Sequence, residues 1–117
     1  MRRTNPDFLN GVPELLILQL LERRPMHGYD LVQSIRTSSG ERIEFGEGCI
    51  YPLLHRLEAQ GLLASKKELA DGRRRIVYRV TPAGRKKLEA TVSTWREVVA
   101  GVNIILQGSE HGRPALA

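Results

Sequence analysis

GCIYPLLHRLEAQG, residues 48–61, runs directly into LLASKKELADGRRRIVYRV, residues 62–80, and then into TPAG, residues 81–84. In the first piece Ile50, Leu53, Leu54 and Leu57 recur at helical spacing and predict one buried stripe. The helix should span Gly48–Gln60 and stop at Gly61, a residue suited to the left-handed position after a helix. At about 100° per residue, Pro52, His55 and Ala59 point away from the stripe, with Tyr51 and Arg56 beside them. Pro52 falls in or just after the first turn, where a missing N–H costs little. This outward face is narrow and carries hydrogen-bonding groups. The second piece predicts strands near Leu63–Leu69 and Arg74–Val80, joined at Asp71-Gly72, a strong hairpin signal. Ile76, Tyr78 and Val80 alternate with Arg75, Val77 and Arg79, so one face should pack and the other should be largely cationic. Thr81-Pro82 reads as an N-cap followed by proline at the first helical position.

A groove-sized helix, a basic hairpin and a long helix follow one another in the order of a winged helix-turn-helix. Such a unit places a helix in the major groove and cations on the phosphates beside it. The predicted class is mainly α with a β-hairpin wing (α+β), plus a long C-terminal dimerisation helix.

Residues 1–10 read as a flexible N-terminal arm. Pro13 should open a helix that runs to about Arg24, with Glu14 at its positive end and Arg23 and Arg24 at its negative end. PELLILQLLERR is apolar on most sides, which predicts a partner subunit over its extra face. Pro25 stops it. A second helix, about Gly28–Ser38, should turn Tyr29, Leu31, Val32 and Ile35 to the core, and Glu41–Phe45 should be extended. The DNA-binding unit is thus residues 11–80. The last helix, 81–107, carries Leu88, Val92, Trp95, Val99, Val102 and Leu106 at spacings 4, 3, 4, 3, 4. That is a heptad seam, and a dimer interface is its reading in preference to a helix lying on its own core. Leu15 and Leu18 of the first helix join it. Residues 108–117 read as a disordered tail.

The 117 residues bear a formal net charge of +5, which favours nucleic acid or an anionic surface as partner. Arg56 to Lys87 contains ten Lys or Arg against Glu58, Glu68 and Asp71. The lone Cys49 forms no intramolecular disulfide and fits a reducing cytoplasm. The sequence has no membrane-length apolar run, no signal peptide, no zinc-ligand spacing, no catalytic constellation and no cofactor motif. It is read as a non-enzyme, cytoplasmic and nucleoid-associated when bound.

MHGYDL, GCIYPLLHRLEAQGLL and RRRIVYRVTPAGRKKL together resemble the PadR family of bacterial transcriptional regulators, across about residues 11–107. Gly28-Tyr29 matches the start of that family's second helix, residues 51–58 its recognition helix, and residues 78–84 its strand-to-helix junction. The resemblance implies a dimeric winged helix-turn-helix repressor whose last helix swaps across the dimer. It also implies a small subfamily with a single C-terminal helix. Some small members bind planar drugs at the dimer centre, which assigns Trp95, with Val92, Val99, Leu18 and Leu15 as walls, to a flat apolar ligand. Packing within the seam is the plainer role for Trp95. Cys49 stands where the family usually has a small residue such as Ser or Thr.

The expected DNA contacts are Tyr51, Pro52, His55 and Arg56 on the groove helix and Lys66, Lys67, Arg73, Arg74 and Arg75 on the hairpin. The expected partners are an inverted-repeat operator in double-stranded DNA, a second copy of the chain and a small aromatic effector, with no membrane. Two other functions fit the same residues. One is a winged-helix protein-interaction module without DNA binding. The other is the same repressor with a thiol input at Cys49, whose place near a helix N-terminus tends to lower a thiol pKa.

Overall fold

A computed structural model describes residues 11–116 of the chain, with the side chains at 70 and 109–116 outside that description. The expected arm at 1–10 and Ala117 lie outside the described residues. In chain order the elements are α1 (Val12–Arg23), β1 (Met26–His27), α2 (Gly28–Ser38), α3 (Glu47–Ala59), β2 (Leu63–Ala70), β3 (Arg73–Val80) and α4 (Pro82–Leu116). The strands form an antiparallel sheet in the order β1-β3-β2.

Helix α1 is the hub of the core. Val12, Leu15, Ile17, Leu18, Leu20 and Leu21 are all buried, and α2, α3, α4 and β3 all pack on it. The predicted partner subunit over α1 is therefore corrected, because the extra apolar face is covered by the chain's own elements. Leu31 and Ile35 of α2, Ile50, Leu54 and Leu57 of α3, and Tyr78 complete the cluster. Tyr29, expected inside, is 53% exposed, and its ring stacks against His27 with centroids 6.5 Å apart. At the first turn of α2 it projects beyond the body instead of under it. Phe45, read only as part of an extended piece, is fully buried and pins the loop between α2 and α3.

The hairpin follows its turn chemistry. Ala70 pairs with Arg73, which leaves Asp71 and Gly72 as a two-residue turn with φ of 53° and 75°. Two left-handed central residues define the turn type whose twist suits a hairpin. Strand β1 was not expected; it pairs Met26 with Tyr78 and His27 with Val77. The predicted packing face of β3 holds at Tyr78 but fails at Ile76, which is 46% exposed because the wing extends past the core.

The start of α4 is tied to the end of α3. The Thr81 hydroxyl donates to the Gly61 carbonyl at 2.7 Å and accepts from the Gly84 N–H at 3.0 Å. The Thr81 N–H donates to the Leu62 carbonyl at 3.1 Å. Gly84 sits so close that an added Cβ would collide with the Leu62 carbonyl and the Val80 side chain. At the other end, α4 continues past the predicted stop at Gln107 and runs to Leu116. Gly108 is not among the glycines with positive φ. A glycine that stays right-handed costs a helix only about 1 kcal/mol and does not end it.

Two glycines of α4 should respond oppositely to alanine. Gly84→Ala should lower unfolding stability by about 1–3 kcal/mol through overpacking against the Leu62 backbone. Gly101, with nothing within 4 Å of an added Cβ, should gain about 1 kcal/mol as alanine from helix propensity. Urea unfolding of the two variants checks both signs.

Candidate nucleic-acid interface

The candidate DNA-facing surface is built by α3 and the wing. Pro52, His55, Arg56 and Ala59 are exposed on α3, while Ile50, Leu54 and Leu57 on its opposite side are buried. The helix begins at Glu47, so Pro52 is interior to it, just past the first turn. Its missing N–H leaves the carbonyl of exposed Gly48 without its helical donor, on the side that meets water. Tyr51 is half-buried. Burial pushes its hydroxyl pKa up, with Glu47 adding to the shift and Arg75 opposing it.

The cations differ from one another. Arg56 Nη2 lies 3.2 Å from the Glu14 carboxylate of α1. An exposed pair of this kind is worth little and competes weakly with a phosphate. Arg79 Nη2 lies 3.3 Å from Glu68, so the outer face of β3 is partly neutralised and less cationic than expected. Arg73 and Arg74 are exposed at the tip. Their register opposite Ala70 and Leu69 sends them to opposite faces of the hairpin, so the tip is positive on both sides. Lys66 and Lys67 are exposed on β2 and likewise alternate. Arg75 is different: it is half-buried, and its Nε is buried without a hydrogen-bond partner.

The expected seam divides into two parts. Leu15, Leu18 and Leu88 are buried in the chain's own core, and Val92 packs partly against it. For Leu18 and Leu88 the interface assignment is corrected, because neither has surface left to offer. Farther along α4, Trp95 is 42% exposed, Val102 48% and Leu106 58%, and Val98 and Ile105 are exposed beside them; Val99 is half-exposed. A groove of about 500 Å3 between α1 and α4 is lined by Gly11, Val12, Leu15, Thr91, Trp95 and Val98, among others. Of the predicted ligand walls it contains Trp95 and Leu15. Leu18 is fully buried, and Val92 lines a groove on the other side of α4 with Glu22 and Arg85. Val92 and Val99 lie roughly a quarter to a third of a turn round the helix from the Thr91–Val98 face, which is why they miss the first groove.

Cys49 stands at the third position of α3, and burial pushes its thiol pKa up. Burial thus acts against an activated thiol there. Among the described residues no group of three or more His, Cys, Asp or Glu could hold a metal ion, and no helix is long and apolar enough to cross a membrane. Alkylation of Cys49 should accordingly be slower than that of free cysteine at pH 8, with a midpoint above the ordinary thiol range. Rates of iodoacetamide labelling against pH, with and without urea, measure this.

A family model described as "Transcriptional regulator PadR-like family" matches residues 17–90. The chain is 41% identical over 99 residues to the transcriptional regulator Rv3488 of Mycobacterium tuberculosis, covering 81% of this chain and 90% of that one. A PadR-like transcriptional regulator from Bacillus cereus superposes with a TM-score of 0.77 at 31% identity, over 87% of this chain and 98% of that one. A PadR family transcription regulator from Clostridium difficile superposes at 0.72 with 32% identity, over 82% and 99%. With its winged fold, its outward α3 face and these relatives, the chain belongs to the PadR-like family of transcriptional regulators.

Proposed function

We propose that this DNA-binding regulator is a dimeric repressor that reads an inverted repeat and is released by a flat apolar effector at the dimer centre. The observation that carries the DNA reading is the pairing of an exposed α3 face with a wing tip that is positive on both sides. The contact residues are Tyr51, Pro52, His55 and Arg56 on α3 and Lys66, Lys67 and Arg73–Arg75 on the wing. The wing cations act on the backbone, and the α3 face acts in the groove. Selection of bound fragments from a genomic DNA library tests this. A two-fold symmetric site should emerge, with half-sites about 34–36 Å apart or a multiple of that. Recovery of no enriched duplex would remove the DNA reading and leave a protein-interaction module.

Dimerisation is supported by the apolar stripe from Trp95 to Leu106, which the chain itself leaves exposed. Closing a second copy over Trp95, Val99, Val102 and Leu106 contributes on the order of 1.5–3 kcal/mol per large side chain. Val99→Glu would place like charges in the interface. Monomers and loss of operator binding are expected by sedimentation and gel shift, whereas an intact Val99→Glu dimer would refute the seam.

The effector reading is supported by the groove between α1 and α4, whose apolar lining includes the single tryptophan of the chain. Two-fold symmetry brings two such grooves to one centre, where indoles can stack on a planar ring. A ligand there releases DNA only if the DNA-bound spacing of the two α3 helices has the lower ligand affinity. Trp95 fluorescence, titrated with planar cationic dyes and aromatic antibiotics, should quench on binding. A ligand whose affinity survives Trp95→Ala would place the site elsewhere.

A further inference from the structure

We propose that the cleft between the start of α2, α3 and the root of the wing is an oxyanion seat that takes one backbone phosphate of the operator, with Arg75 as its clamp. The proposal rests on the DNA-binding reading and adds to it a fixed point of contact. The cleft has a volume of about 280 Å3. It is walled by Gly28 and Tyr29 where α2 opens, by Tyr51 and His55 of α3, and by Arg75 and Tyr78 of β3. With His27 of β1 also lining it, four elements hold it, and no residue lining it is acidic.

Its donors converge. The guanidinium of Arg75 carries a buried Nε with no hydrogen-bond partner. A buried N–H without an acceptor is costly, and the side chain that carries it lines the cleft. Arg75 and Tyr51 line the same cleft, and the guanidinium charge opposes the upward shift of the Tyr51 hydroxyl pKa. The Tyr51 ring in turn lies on the N-terminus of α2. A Cβ added at Gly28 would stand 2.6 Å from a Tyr51 ring carbon and 2.8 Å from its hydroxyl oxygen. The first N–H groups of a helix have no intrahelical acceptor, and its dipole favours an anion there. The third, on Asp30, is capped by His27 Nδ1 at 3.3 Å, while His27 Nε2 meets the Asp30 carboxylate at 3.2 Å. His27 and Asp30 thus occupy each other, and the open donors are Arg75, Tyr51, His55 and the start of α2.

The nearby carboxylates are those of Asp30, Glu47, Glu58 and Glu68, the last standing opposite Arg75 in the hairpin and paired with Arg79 at 3.3 Å. Glu58 accepts from the Ser65 hydroxyl at 2.6 Å, and Glu47 is exposed. Arg75 also stands apart from the other cations of α3 and the wing. Arg56 and Arg79 have carboxylate partners, and Arg73 and Arg74 stand in solvent at the tip. A phosphate fixed between α3 and the wing sets the register in which α3 meets the bases, a role that freely moving tip cations fill poorly.

The test uses the full-length protein and the operator recovered by selection, with single phosphates replaced in turn by uncharged methylphosphonates. Wild-type protein should lose on the order of tenfold in affinity at one position in each half-site, as expected for a charge-assisted hydrogen bond. Arg75→Gln should lose a similar factor on unmodified DNA and become insensitive at that same position. Tyr51→Phe, which removes only a hydroxyl, should show a smaller version of the same coupling and guards against a folding defect in Arg75→Gln. Arg73→Ala should stay fully sensitive there. Additive losses for Arg75→Gln and the methylphosphonate would overturn the seat while leaving DNA binding intact. Wild-type protein that binds no duplex DNA would overturn both. Inorganic phosphate is the remaining arm, followed by the His55 ring signals in NMR at constant ionic strength. Saturation by free phosphate combined with additive DNA losses would make the cleft a free-anion site and overturn its assignment to DNA.

Discussion

The geometry of this protein depends on one threonine. Thr81 caps α4 through its hydroxyl and, with the same hydroxyl and its own N–H, holds the carbonyls of Gly61 and Leu62 just beyond α3. The end of α3, the last strand of the wing and the first turn of α4 are thereby joined at one point. Gly84 makes that junction tight, since only a residue without a Cβ lets α4 approach the Leu62 carbonyl. The packing of Leu88 and Val92 on the α1 core sets the direction of α4 together with this junction. The Arg85–Glu22 pair at 2.9 Å adds a second, exposed tie to α1 and contributes less.

From that junction α4 performs two tasks in sequence. Its first turns, through Leu88 and part of Val92, close the core over α1. Its later turns, from Trp95, carry apolar residues away from the core into solvent. A single heptad pattern covers both tasks, because the pattern records which side of a helix is apolar and not what covers it. This explains the division of the predicted seam: Leu18 and Leu88 obey the same periodicity as Val102 and Leu106 yet have a different cover.

Features governed by local chemistry were legible in the sequence. Asp71-Gly72 could form only a tight left-handed turn at low cost, Thr81-Pro82 could cap and open a helix, and the stripe Ile50–Leu57 set the outward face of α3. What the sequence concealed was set by the body as a whole. Strand β1 is two residues long and exists because β3 has a free edge there. Tyr29 and Ile76 were assigned inward by periodicity, but both lie where the body ends and the pattern has nothing to pack on. Arg75 looked like one of three equivalent wing arginines. Its difference comes from the Tyr51 ring resting on Gly28 and from the cleft this leaves, a relation between residues far apart in the chain.

The length of α4 gives the Thr81 junction a further consequence. At 1.5 Å per residue a helix of 35 residues is about 52 Å long. A change of 5° in its direction at the junction would move the far end by roughly 4–5 Å. In an assembly built on α4, the distance between two reading heads is then an angle multiplied by a lever. Small changes in packing where Gly84 meets Leu62 would retune that distance without any change in the residues that touch the bases. In the proposed dimer, the spacing of the two α3 helices can therefore change independently of the surface each one presents.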